Sequence, residues 1–525
     1  MAALLFAFGW WRRLSDFRLQ GYLAGTLGLG GIAKHQADIE FGYAQPLRHP
    51  WIALSCAAVL SYLAALCGLR SPSDRLDEWE RTGLRRVGSW ASTAALIVLA
   101  WRALPSDFLG LGWMALALLL LELGLRAIPE DFRVQGYVVA SLGALRVFFF
   151  NFLPINNDAP LEKRWIVAAA AFVAYLMAAR IHFARKHMAS AEESANAFNL
   201  SSAAGTLFLL AGLWALLPAV VIGPAWAIVA LLLMEAGFAL DLPSLRLQAH
   251  LAGGAAFGRL FFANFTGLGR VGVVSHRLLT VVPVLASYYY QWSKQRAERA
   301  RLRQWELPLG RIYLYAAAIL AVVLMRFELG RVLTVTGWAA FSLGLLIFGR
   351  RWRVADLRWQ SYVLAGLAFW RSWNTNFYAP ESFAGVSGRI LTGAFVIACF
   401  YAAQLLIPRK SEANGMERHA RTFYSLLAAG LLAVLLFYEV SGSVLTVAWG
   451  VEGVALLVAG FPLNDRVQRL CGMFLFAVCI AKLFGYDLRH LETLYRILSF
   501  IVLGLMLVGV SWIYTRFRER IQKYL

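Results

Sequence analysis

Three stretches of the sequence carry the same polar residues in the same register: Arg146, Asn151 and Arg164, then Arg259, Asn264 and Arg277, then Arg371, Asn376 and Arg389. In each, asparagine follows the first arginine by five residues, a phenylalanine comes next, and the second arginine stands thirteen residues beyond the asparagine. A guanidinium is a planar fork of donors that grips a phosphate or carboxylate through two parallel hydrogen bonds. Six arginines gathered near one face would bind an anionic ligand, a lipid headgroup or a partner's loop. The same residues also have a purely structural reading. An arginine about one turn from a helix end reaches the headgroups, covers apolar surface with its stem and complements the C-terminal dipole. An asparagine ahead of a loop is an ordinary helix stop.

Carboxylates form the second set of candidates. Glu122 and Glu235 each follow a tryptophan, Trp113 and Trp226, by nine residues, while Ile347 occupies the matching place after Trp338. Within an apolar helix they are possible proton carriers, although Arg126, four residues after Glu122, offers a pairing partner. Glu452, three residues after Trp449, sits deeper in its span and is the carboxylate with the most to explain. His35, His49, His276 and His490 fall singly in loops, and the five cysteines lie in apolar helices with no Cys-x-x-Cys pair. Neither a metal site nor a disulfide framework is expected. No phosphate-binding loop, His-Glu-x-x-His or nucleophile elbow occurs, so no catalytic residue, cofactor or metal is assigned and no enzymatic reaction is indicated.

The elements that must position these residues are membrane helices. Of 525 residues 60% are hydrophobic and 15% charged, with a mean hydropathy of +0.61. A water-soluble domain of this size needs more polar surface. Apolar runs such as Trp51 to Leu69, Trp165 to Ile181 and Ile497 to Ile513 recur throughout, and about nineteen spans, the first short, are expected. Barrel-strand alternation is absent, so the backbone must satisfy itself within helices and the class is all-α, polytopic. The opening stretch lacks a basic leader and runs into Trp10, Trp11, Arg12 and Arg13, which reads as a retained helix.

An internal repeat orders the spans. Five segments open alike: Asp16-Phe-Arg-Leu-Gln20, Asp131-Phe-Arg-Val-Gln135, Ser244-Leu-Arg-Leu-Gln248, Asp356-Leu-Arg-Trp-Gln360 and Asn464-Asp-Arg-Val-Gln468. Their glutamines are separated by 115, 113, 112 and 108 residues. The leading Asp, Ser or Asn is an expected helix N-cap, and the Arg and Gln are expected at the polar entrance of a span. Trp113, Trp226 and Trp338 each lie 22 residues before the glutamine, and Trp449 lies 19 before its own. A unit then comprises an opening helix, a tryptophan helix, a glutamine helix and a closing helix. The expected units are 70–184, 185–297, 298–409 and 410–525, preceded by a truncated first unit over 1–69, whose missing neighbours suggest a protein partner in the membrane or a capping role.

Basic residues cluster in the linkers between units: Arg70, Arg75, Arg81, Arg85 and Arg86; Arg180, Arg185 and Lys186; Lys294, Arg296, Arg299, Arg301 and Arg303; Arg409, Lys410, Arg418 and Arg421. The positive-inside rule makes these cytoplasmic, with the N-terminus outside and the C-terminus inside. Asp38, Glu40, Asp158, Glu162, Glu381, Asp487 and Glu492 then fall in outer loops. The net charge of +20 is spread over membrane-flanking turns, so nucleic acid is not an expected partner, whereas membrane lipids are.

Lys482-Leu-Phe-Gly-Tyr-Asp487, followed by Leu491-Glu-Thr-Leu-Tyr-Arg-Ile-Leu-Ser-Phe500 and a span ending at Trp512, resembles the bacterial multi-pass membrane proteins grouped as domain of unknown function 2339. The likeness is most specific over about the last hundred residues. It implies a bacterial cytoplasmic membrane and many helices, and it carries no activity with it. Members of that family often look as though they open on a cytosolic, coiled-coil-like segment and further spans, which this sequence lacks. Three functions compete: a noncatalytic scaffold or subunit of a bacterial envelope complex; a transporter or lipid-handling protein binding an anionic group at the outer face through the Arg and Asn positions; and, third, an integral membrane enzyme acting on a lipid-linked substrate. The repeats look parallel, since each restarts on the same side, and the absence of a carboxylate relay favours the scaffold.

Overall fold

The computed structural model describes all residues except 44–49, 73–74, 127–130, 156–159, 186–187, 189, 267–268, 273, 379–381, 384, 409–418, 463–464, 484–492 and 517–525. Asp158, Lys186, Glu381, Arg409, Lys410, Arg418, Asn464, Asp487, Glu492, His49 and His490 therefore lie outside the described residues, as does the start of the family-like segment after Leu483. The described residues form nineteen α-helices and two hairpins of two-residue strands. Ten of the helices are long and apolar enough to cross a membrane. The chain divides into two compact bodies, Met1–Asn264 and Phe265–Leu525.

The first body contains α1 (Ala2–Arg12), α2 (Ser15–Glu40), α3 (Pro50–Arg70), α4 (Glu78–Ala103), α5 (Leu109–Arg126), α6 (Asp131–Arg146), α7 (Leu161–Ala184), α8 (Ala191–Leu216), α9 (Ile222–Ala239) and α10 (Pro243–Arg259). Successive helices pair as α1 with α2, α3 with α4, α5 with α6, α7 with α8 and α9 with α10. Small residues let these pairs come close: Ala170, Ala171, Ala174 and Ala211 pack with Met114, Val147, Val167 and Phe208 in one cluster. The outward side chains are apolar too, and Leu119, Phe172, Leu232 and Phe262 are more than half exposed. Such a surface suits hydrocarbon and not water.

The second body contains α11 (His276–Ala297), α12 (Leu309–Glu328), α13 (Gly330–Arg351), α14 (Ala355–Asn374), α15 (Gly388–Leu406), α16 (Ala420–Glu439), α17 (Ser443–Gly460), α18 (Arg466–Lys482) and α19 (Thr493–Arg516). Here α11 pairs with α12, α13 with α14, α15 with α16 and α17 with α18, while α19 lies against α17. Its largest core cluster joins α13 to α16 through Val335, Leu346, Phe377, Phe400, Tyr424 and Leu431. The hairpins β1–β2 (Arg270–Val271, Val274–Ser275) and β3–β4 (Ser382–Phe383, Val386–Ser387) are antiparallel and stand at matching places ahead of α11 and α15.

Three of the glutamine helices, α2, α10 and α14, depart from the expected N-cap. Asp16, Ser244 and Asp356 lie inside the first turn, and the caps themselves are Leu14, Leu242 and Val354. The reason is the preceding turn. Each cap donates its amide to the carbonyl of a glycine five residues earlier (Leu14 to Gly9, Leu242 to Gly237, Val354 to Gly349), with Arg13, Asp241 and Arg353 between them at positive φ. That is the six-to-one bond closing a helix C-terminus, which favours an apolar residue where the amide arises. The polar residue lies two residues inward, within the first turn, where its charge or dipole still complements the helix N-terminus. Among the described starts of these helices, only that of α18 is capped by a side chain, Asp465 accepting from the amide of Val467 at 3.0 Å.

Candidate functional site

Each tryptophan helix is tied near its N-terminal end by side chains at constant separation. The indole Nε1 of Trp113, Trp226, Trp338 and Trp449 donates to the carbonyl sixteen residues earlier, on Ile97, Leu210, Val322 and Ala433, at 2.9 to 3.2 Å. Just before or at the start of the same helix the arginines and asparagines grip two successive carbonyls. Arg146 reaches Ser106 at 3.5 Å and Asn151 reaches Asp107 at 2.8 Å. Arg259 reaches Ala219 at 3.2 Å and Asn264 reaches Val220 at 2.8 Å. Arg371 reaches Arg331 at 2.9 Å and Asn376 reaches Val332 at 2.8 Å. A backbone carbonyl has two lone pairs, so one in the turn before a helix or in its first residues can accept a side-chain donor. The first arginine and the asparagine supply it.

The second arginine of each set goes elsewhere. Arg164 donates to Ala215 of α8 at 3.3 Å. Arg277 donates to Phe265 at 2.9 Å and stands 3.9 Å from Glu328 of α12. Arg389 donates to Phe377 at 3.3 Å and pairs with Glu439 of α16 at 3.2 Å. Ser275 and Ser387 donate to the same two carboxylates. The structure thus brings the first arginine and the asparagine of a set onto one turn and sends the second arginine to the following helix.

The glutamine helices carry polar ties of their own. Gln135 donates to Ser89 and accepts from Thr93, both on α4, and Gln248 does the same with Ser202 and Thr206 on α8. The arginines two residues earlier are equally engaged. Arg18 makes a bidentate pair with Glu80 at 3.0 and 3.1 Å, completed by the hydroxyl of Tyr22. Arg133 repeats this with Glu193 and Tyr137. Arg18 and Glu80 are only 6% and 2% exposed. Arg18 and Arg133 stand in the first turns of their helices and also fasten them to neighbouring helices.

In α18 the register differs from the one the sequence motif suggests. A Cβ on Gly9, Gly124, Gly237 or Gly349 would come within 2.5 to 2.9 Å of Cγ of Arg18, Arg133, Arg246 or Arg358, and for Gly460 the corresponding residue is Arg469, not Arg466. Cys471 then stands where the other copies have glutamine, 22 residues after Trp449, and the hydroxyl of Ser425, the counterpart of Ser89 and Ser202, has no hydrogen-bond partner among the described residues. The same shift reveals a residue that sequence reasoning missed. Lys482 occupies the place of the first arginine, donating to the Gly442 carbonyl forty residues back at 3.2 Å and to Thr446 at 2.9 Å. The constant tryptophan spacing was the signal that could have found it.

Of the three carboxylates, Glu122 is paired, to Arg180 at 2.8 and 2.9 Å and to Arg126. Glu235 lies half-buried one turn from the end of α9. Glu452 is 4% exposed, and neither of its oxygens has a hydrogen-bond partner among the described residues. An apolar groove of about 840 Å³ opens among α1, α2, α3 and α4, walled by Gly21, Gly25, Gly28, Ala57 and Gly88, with Tyr22 and Glu80 also lining it.

Apolar helices, lipid-suited surfaces and polar side chains turned inward on one another define a multi-pass α-helical membrane protein. The chain belongs to the family described as predicted membrane protein (DUF2339), whose profile matches residues 1–517. No curated protein and no solved structure matches it.

Proposed function

We propose that this protein is a noncatalytic scaffold, or a subunit of an envelope complex, in the bacterial cytoplasmic membrane, built from tandem four-helix units. The observation that carries this reading is the constant offset of the ties: sixteen residues back for tryptophan, forty for arginine or lysine and forty-four for asparagine. The polar residues that recur are occupied in holding helices together, which is the chemistry of a frame. The same ties support reading the less apolar helices as spans. Helix α4, for example, carries Glu80, Ser89 and Thr93, and all three are paired with neighbouring helices, so its polar content need not meet lipid. Basic linkers at the ends of the closing helices support a cytoplasmic placement for them.

A lipid-handling role remains the second reading, favoured by the apolar groove among α1 to α4 and by the Nε atoms of Arg146, Arg259 and Arg371, which have no partner among the described residues. One experiment separates the two. Purified Arg259→Ala and Arg371→Ala proteins should retain anionic lipid as the wild type does, while melting at lower temperature because a helix-entrance carbonyl loses its donor. Loss of bound anionic lipid with an unchanged melting temperature would reject the scaffold reading of these residues.

A further inference from the structure

The last four helices depart from the pattern of the others at three connected places. Cys471 replaces the buried glutamine, Ser425 is left without that partner, and Glu452 appears three residues after Trp449, where the earlier copies carry Leu116, Val229 and Phe341. Glu452 lies at the middle of α17, about 13 Å of helical rise from its first residue. Tyr401 of α15 and Cys471 of α18 are within electrostatic reach of it. Neither is a cation.

Among the described side chains, the cations on the helices around it are spent elsewhere. Arg389 is held by Glu439, and Arg421 by Asp465 together with the Ile407 carbonyl. Lys482 donates to Gly442 and Thr446, Arg469 lies over the Phe461 ring, and Arg466 is exposed. An ionised carboxylate buried in this way has no donor or counter-charge among the described residues, which is the most costly state for such a group. A neutral carboxyl loses most of that cost. Carboxylates placed at membrane depth with no structural partner are where membrane proteins bind protons.

We infer that Glu452 is a proton-binding site of the last four-helix unit, its carboxyl carrying a proton at neutral pH. The ligand is the proton itself, and the site stands independently of whether the protein is a scaffold. The substitution of glutamine by Cys471 is part of the device, since a glutamine amide there would be a donor able to stabilise the ionised form.

Infrared difference spectroscopy of the purified full-length protein, titrated from neutral to strongly alkaline pH, tests this directly. The carbonyl stretch of a protonated carboxyl should be present at neutral pH, vanish on alkalinisation and be missing from Glu452→Gln. Glu452→Gln, an isostere of the neutral acid, should keep the wild-type melting temperature at neutral pH. A variant-free measurement accompanies it: a hydrophobic carbodiimide, which reacts with protonated carboxyls, should modify Glu452 in the wild type and spare the ion-paired Glu122. Identical spectra for wild type and Glu452→Gln, or modification of Glu122 with Glu452 untouched, overturns the proposal. Displacement of the carbonyl band by sodium at constant pH also overturns it, in favour of a metal-cation site.

Discussion

Arg18 and Glu80 illustrate what a charge requires inside this fold: two parallel N–H to oxygen bonds, a tyrosine hydroxyl on the carboxylate and the backbone amide of Asp77 on its second oxygen. Removing one partner leaves the other buried and unpaired. Glu80→Ala should therefore cost about 3–5 kcal/mol, whereas Glu298→Ala, which breaks the exposed pair with Arg301, should cost under about 1 kcal/mol. Thermal unfolding in detergent measures both, and equal losses would mean that the buried pair contributes nothing special. The arginine was legible in the sequence because it recurs. Its partner was not, because Glu80 lies 62 residues away on another helix and the capping geometry that places it there has no marker beyond an Asp and a Glu three apart. The asparagines were likewise visible as a pattern, but their acceptors are backbone carbonyls, which every residue possesses.

At the scale of the helix, the glycine at the end of each tryptophan helix decides how closely the glutamine helix approaches. A Cβ on Gly237 would stand 2.5 Å from Cγ of Arg246 and 3.0 Å from its amide nitrogen, whereas one on Gly254 would meet nothing within 4 Å. Gly237→Ala should then destabilise by about 1–3 kcal/mol and Gly254→Ala should be close to neutral, with melting temperatures as the readout. Register is the other property settled at this scale. The Asn464 to Gln468 segment imitates the earlier helix starts three residues too early, because Asp465 caps α18 while also occupying the place that Leu14, Leu242 and Val354 hold in the other turns. A sequence motif reports residue types, and the packing of glycine against arginine reports which turn of the helix they fall on. If Cys471 truly replaces the glutamine, Cys471→Gln returns a partner to Ser425 and should stabilise the protein by about 1 kcal/mol. A loss of stability would place the register with Gln468.

For the whole molecule, the all-α class was legible from apolar runs, since the two-residue hairpins are too short to disturb it. About nineteen spans were expected, and among the described residues there are nineteen α-helices, ten of them long and apolar enough to cross a membrane. Hydropathy leaves polar helices such as α4 and α14 outside the ten candidate spans, and the pairing that occupies Glu80, Ser89 and Thr93 of α4 exists only after packing. Sidedness follows from the same helix order. If every helix crosses, Ser106 and Val386 face outward and Ser190 and Ser293 face the cytoplasm, where the basic linkers lie. Single cysteines at these four positions, in a protein freed of its native cysteines, should divide cleanly when intact cells are treated with a membrane-impermeant maleimide. Ser106→Cys and Val386→Cys should react, and Ser190→Cys and Ser293→Cys should react only after lysis. Labelling of either linker position from outside would mean that an odd number of helices separates it from its neighbours, and the four-helix unit would have to be abandoned.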